Sequence, residues 1–165
     1  MDTQRTYDGR NRRADVKMTP AEISEFLSTG PDVMALGTIN GDGSIHLATV
    51  SVAFVDGVIW TKSKARAQKA VNLRRHPFAS CMLSEGDDDY ETMHGLYARG
   101  PVTIFDDHDT VLRVTNYIAS RYEMHRSGGV PDPAAVERLT TGYVAIRFDD
   151  PTFVTWDHRK LLDPR

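Results

Sequence analysis

The sequence carries a single cysteine, Cys81, in 165 residues. One thiol excludes an intramolecular disulfide framework and any metal site built from several cysteines. It sits in the apolar run Phe78-Ala-Ser-Cys-Met-Leu83 and reads as a buried structural thiol. No apolar run approaches the ~18 residues of a membrane span. The start, Met1-Asp-Thr-Gln-Arg-Thr-Tyr-Asp8, lacks the apolar core of a signal peptide. A cytoplasmic protein is expected. Nor does charge of one sign dominate: Lys and Arg number 20 against 23 Asp and Glu, a net charge of −3. Nucleic-acid binding therefore has no global signature, and any anion site must be local.

Several catalytic motifs are also missing. There is no phosphate loop of the form Gly-x-x-x-x-Gly-Lys-Ser/Thr, no His-Glu-x-x-His and no Gly-x-Ser-x-Gly. Gly37, Gly41 and Gly43 lie in a hairpin rather than between a strand and a helix, which rejects a dinucleotide fingerprint. The six histidines share no ligand spacing, and Asp87-Asp88-Asp89 reads as a solvated acidic loop. No metal is expected.

What remains is an ordinary globular composition, 40% hydrophobic and 26% charged, of single-domain length. Residues 1–17 are polar and read as a flexible tail, 18–160 as the domain, and 161–165 as a short C-terminal tail. Thr19-Pro20-Ala21-Glu22 is a capping box that opens a helix, and Gly30-Pro31 ends it. Val33–Ile39 and Ser44–Phe54 flank the hairpin turn Asn40-Gly-Asp-Gly43, and Asp56-Gly57 turns into Val58–Thr61. Three antiparallel strands in a meander are expected there. A short helix closes at Pro77, with Ala67, Ala70, Val71 and Leu73 as its apolar face. Strands over 78–83 and 92–105 follow, with a bend at Gly100-Pro101. The longest helix spans 106–126, with Val111, Val114, Ile118 and Tyr122 on one side and Gly128-Gly129 at its end. A shorter helix begins at Asp132-Pro133, and strands at 141–148 and 153–156 close the chain. The class is α+β and mainly antiparallel, with six or seven strands closing on themselves and peripheral helices at the ends.

Chemistry concentrates between Trp60 and His76. That stretch holds Lys62, Lys64, Arg66, Lys69, Arg74 and Arg75 with no acidic residue. A strand, the hydroxyls of Thr61 and Ser63, and a helix start at Arg66-Ala-Gln-Lys69 adjoin there. Helix N-terminal amides and cationic side chains together hold phosphate oxygens.

The pattern Trp60-Thr61, Ser63-Lys64, Gln68-Lys69-Ala70-Val71-Asn72-Leu73 and His76-Pro77 resembles the pyridoxamine 5′-phosphate oxidase-like split β-barrels. More narrowly it resembles their actinobacterial flavin/deazaflavin oxidoreductase branch. The resemblance covers roughly residues 19–160. It implies a homodimer with two cofactor sites at the interface. Thr49, Val50, Ser51, Val52, Trp60 and Thr61 would line the ring and ribityl chain. Ser63, Lys64, Arg66, Gln68 and Lys69 would hold the phosphate, and Trp156 would approach the partner subunit's cofactor. Two departures argue against pyridoxine phosphate as substrate. Thr49 stands where the true oxidases have Arg, and His158-Arg159 does not match their C-terminal Arg-Leu-His segment.

Six cations exceed what one phosphate needs, and Lys62, Arg74 and Arg75 could meet the extra carboxylates of coenzyme F420. That favours F420 over FMN. The resemblance thus implies an oxidoreductase moving a hydride to or from a small, largely apolar substrate. No catalytic residue is marked, although His94 and Tyr97 could donate a proton. The alternative is a flavin- or haem-binding carrier or sensor without turnover.

Overall fold

The computed structural model describes residues 12–126 and 129–162. Residues 1–11, most of the segment read as a tail, and 163–165 lie outside the described residues. Order begins earlier than the composition suggests. Arg12–Asp15 form a helical turn (α1), and Val16 is buried with its carbonyl accepting from the Asp157 amide at 2.7 Å.

Helix α2 runs Pro20–Thr29 behind its capping box. Glu22 N donates to Thr19 Oγ1 (3.3 Å) and Thr19 N donates to Glu22 Oε2 (2.6 Å). The strands are β1 (Val33–Ile39), β2 (Ile45–Ser51), β3 (Ala53–Val55) and β4 (Val58–Lys64). Helix α3 (Gln68–Arg75) leads to β5 (Phe78–Glu85) and β6 (His94–Phe105). Helices α4 (His108–Arg126) and α5 (Pro133–Arg138) precede β7 (Tyr143–Phe148) and β8 (Thr152–Asp157). Leu161 ends a 3-10 turn that starts at His158.

The expected three-strand meander is corrected. β1 pairs with β2 and β3 pairs with β4, but at Val52 the chain crosses from one end of the sheet to the other, so β2 and β4 are not ladder neighbours. The order is β2-β1-β5-β6-β7-β4-β3, with β8 paired to β6. The Asp56-Gly57 turn is as read: φ of 53° and 79° fit the mirror-image turn that a right-twisted hairpin needs. All eight strands are antiparallel to their partners, and the sheet curls into a half-barrel.

Strand β6 joins the two halves. Its residues 94–101 pair with β5, and its opposite edge is shared by β8 (94–99) and β7 (102–105). The bend expected at Gly100-Pro101 falls in the partner line instead. β6 is continuous, while 149–151 break its neighbour, and a β-carbon on Gly100 would sit 3.0 Å from Pro151 Cα. Inside the barrel, Leu36, Val50, Val52, Ile59, Leu96 and Phe148 form the main core. A second cluster, with Trp60, Val111, Val114 and Ala145, lies under α4. Among the described residues no helix is long and apolar enough to cross a membrane.

Candidate functional site

Two strand edges are left open where the barrel splits. Among the described residues nothing pairs with β2 on the side away from β1, and β3 covers β4 only at 58–60. Residues 61–64 pair with β7 on one side only. The open edges meet at one point, where Thr61 Oγ1 donates to the Ser51 carbonyl at 2.6 Å. That bond turns the Ser51 carbonyl away from β1, and the two-residue alternation of a strand turns Thr49's backbone the same way. The split thus offers main-chain donors and acceptors from β2 opposite the hydroxyls of Thr61 and Ser63, both buried.

The split leads to the start of α3. Its N-cap, Ala67, has no side chain able to accept, and its first turn has no acidic residue. The amides of Gln68 and Lys69 therefore head the helix without a side-chain partner, a position that suits an anion. Lys64, Arg66 and Lys69 lie within four residues of that helix start, and among the described residues no hydrogen bond or ion pair engages their side chains.

The other three cations of this stretch are committed elsewhere, which corrects the count of six. Arg74 Nη1 donates to the Ala65 carbonyl (2.6 Å), and Arg75 Nη2 donates to the Ile39 carbonyl. Lys62 leaves β4 on the face opposite Thr61 and Ser63, toward Thr115 Oγ1 (3.5 Å) and the Leu139 carbonyl (3.4 Å). Sequence spacing cannot show this, because it does not reveal which carbonyls a folded loop leaves for capping.

The ring-lining residues divide by strand alternation. Val50 and Val52 turn their side chains into the barrel core, and their main chain faces β1, the Val52 amide donating to the Asp32 carbonyl at 3.0 Å, so neither lines the split. Thr49 is exposed and Ser51 half-buried. Trp60 is corrected as a side-chain contact. It is 4% exposed beneath α4, stacked near Phe105 (centroids 5.4 Å) and flanked by the Arg113 and Arg147 guanidiniums. Gln68 donates to Asn72 Oδ1 (2.9 Å) and so braces α3. Trp156 lies on β8, which pairs only with β6, on the same outer sheet face as Tyr97.

Asn72 is the residue that the sequence reading gave no role. It is fully buried, and its Nδ2 donates to Thr38 Oγ1 (3.1 Å) and Asn40 Oδ1 (2.9 Å), pinning α3 to the β1 hairpin. The signal was there: an amide between Ala70 and Leu73 takes the buried place that Val71, 45% exposed, was expected to fill. His94 and Tyr97 fall on opposite faces of β6. His94 bonds the Thr92 carbonyl (3.0 Å) and faces Glu85 (3.4 Å), while Tyr97 pairs with Ser80 Oγ (3.0 Å). Burial pushes the Cys81 thiol up to about 12, which excludes it as a nucleophile at neutral pH.

The family model described as pyridoxamine 5′-phosphate oxidase matches residues 19–148. The chain belongs to this family. A conserved hypothetical protein of Mycobacterium tuberculosis, Rv2991, is 35% identical with a TM-score of 0.82, covering 94% of this chain and 95% of that one. Two more distant structures share the family fold. An F420 reductase is 24% identical (TM-score 0.59), covering 78% of this chain and 94% of its own. The haem storage protein HutZ of Vibrio cholerae is 15% identical (TM-score 0.62), covering 82% and 94%. No curated protein matches the chain.

Proposed function

We propose that the protein is an oxidoreductase. It holds a flavin-type cofactor along the split between β2 and β4, with the cofactor's phosphate at the start of α3. A hydride then passes between the cofactor and a small, largely apolar organic substrate. The reading rests on one arrangement: an uncapped helix start near three cations that have no partner among the described residues, at the end of two open strand edges. Two or three cationic donors plus backbone amides are what a single phosphate monoester requires. The open edge of β2 can donate to and accept from a planar heterocycle, as a neighbouring strand would.

When bound, the cofactor supplies the hydride chemistry. The chain's own part is positional. Lys64, Arg66, Lys69 and the α3 amides fix the phosphate. Thr49 and Ser51 set the ring against the barrel, and Thr61 ties β4 to β2 beneath it.

Coenzyme F420 remains first choice over FMN through the Gln68–Asn72 run and the fold shared with an F420 reductase. The cation count no longer separates the two, since Lys62, Arg74 and Arg75 are engaged.

A homodimer is part of the proposal. Ile45 and Leu47 on β2 and Phe78 and Met82 on β5 are all exposed on the outer sheet face, a patch unlike a monomer's surface. A second copy seated there would bring Trp156, on the same face, toward its partner's split.

Fluorescence titration with F420 and FMN at one salt concentration tests the reading. Micromolar binding of either, lost on adding excess inorganic phosphate, supports it. Binding of neither, or haem binding alone, overturns it.

A further inference from the structure

One cation of the Trp60–His76 stretch has a setting of its own. Lys62 leaves β4 on the face opposite Thr61 and Ser63 and enters a cavity of about 550 Å³ between the barrel, α4 and α5. Ser51 lines the same cavity, so it opens beside the split. The rest of the wall is largely apolar, with Ile118, Val136, Leu139 and Tyr143.

Among the described residues no counter-ion meets the ammonium group. Its contacts with Thr115 Oγ1 (3.5 Å) and the Leu139 carbonyl (3.4 Å) are long, and the Tyr143 ring lies 4.8 Å away. Two carboxylates also line the cavity. Asp132 is used as the cap of α5, accepting from Ala134 N at 3.0 Å. Glu123 lies farther along α4, and neither forms an ion pair with Lys62. Burial alone pulls the Lys62 ammonium below its usual range, with no charged partner offsetting it. A desolvated cation in an apolar wall is costly unless an anionic oxygen completes it.

We propose that this cavity is the substrate pocket, that it takes a compact, mostly apolar molecule bearing one carboxylate, and that Lys62 anchors that carboxylate. The substrate role rests on the cofactor reading above, whereas the binding of an organic anion does not. Lys62 holds and orients; no proton or electron step is assigned to it.

Benzoate is the probe, with benzyl alcohol as its uncharged counterpart. In protein labelled with 13C at lysine Cε, benzoate should shift the Lys62 resonance saturably, and benzyl alcohol should not. Lys62→Met should weaken benzoate binding roughly tenfold or more, the scale of a charge-assisted bond. The same variant should leave the affinity for F420 or FMN within about twofold, whereas Lys69→Met should do the reverse. The wild-type resonance needs no variant, so a misfolded Lys62→Met cannot hide the answer. An unmoved Lys62 resonance at saturating benzoate overturns the proposal. So does cofactor affinity falling with Lys62→Met while benzoate binding stays intact. If benzoate moves Lys62 but the wild type binds neither F420 nor FMN, the anion pocket stands, and the cofactor reading and the substrate role fall.

Discussion

Gly95 and Trp156 face each other across the β6–β8 ladder, so closely that a β-carbon on Gly95 would lie 2.7 Å from Cζ2 of the indole. The same β-carbon would collide with the Leu83 carbonyl. The indole is thus seated flat on the outer sheet face by the absence of a side chain. Gly95→Ala should cost about 1–3 kcal/mol of stability, as overpacking does, read as a lower urea midpoint. Adding Trp156→Ala should not restore it, because the Leu83 carbonyl is main chain and cannot swing away. Full restoration would mean that the indole is the only obstacle.

Arg121, 5% exposed, ties α4 to the end of α2. Its guanidinium donates to the carbonyls of Leu27 (2.8 Å), Gly30 (2.6 Å) and Pro31 (3.1 Å), and to Asp32 Oδ1 (3.0 Å). Lysine has the charge but not the planar fork. Arg121→Lys should therefore cost about 2–4 kcal/mol, with several buried acceptors left unpaired. A change in thermal or urea stability below about 0.5 kcal/mol would show that water replaces the fork.

Replacement of Lys69 should act on the cofactor rather than on the fold. Lys69→Ala should weaken F420 or FMN binding by about 1.5–3 kcal/mol, the value of a hydrogen bond to a charged group. Arg138→Ala, on the exposed side of α5, should leave both cofactors bound as before. Titrations of the two variants side by side decide it, and equal affinities would refute the phosphate assignment.

Asp157 gives the fold an acid-sensitive joint. Arg159 donates to both of its carboxylate oxygens at 2.8 Å, which together with the nearby His94 holds its pKa below the usual carboxylate value. A depressed folded-state pKa contributes stability that is present above the unfolded value, about 3.9, and is lost as the pH falls through the folded one. Urea midpoints measured downward from pH 6 should drop below about pH 4. Asp157→Asn should be less stable at pH 6 and should show a smaller drop.

Much of this architecture was legible in the chain. Thr19-Pro20-Ala21-Glu22 capped its helix as written, Asp56-Gly57 turned as its φ values require, and the run from Trp60 to Asn72 led to the family. The crossing at Val52 was not legible. A strand that changes partners keeps its alternation, and hydrogen-bonding direction leaves no trace in hydropathy. The same limit applied at the site. The sequence presented six cations as one group, and only the fold separates Lys62, taken up by Thr115 and the Leu139 carbonyl, from Lys64, Arg66 and Lys69. Asn72 was visible as a residue but not as the pin between α3 and β1, because Thr38 and Asn40 lie more than 30 positions away in the chain.

Because β6 serves as a rib for both halves of the sheet, neither half can swing open without breaking the ladder of the other. A molecule that occupies the split cannot enter or leave by parting the barrel. Exchange must run along the open flanks of β2 and β4, so residence time is governed by whatever covers those flanks rather than by the rigidity of the fold. In the proposed pair of subunits, exchange of the proposed cofactor would then be governed at the seam between them.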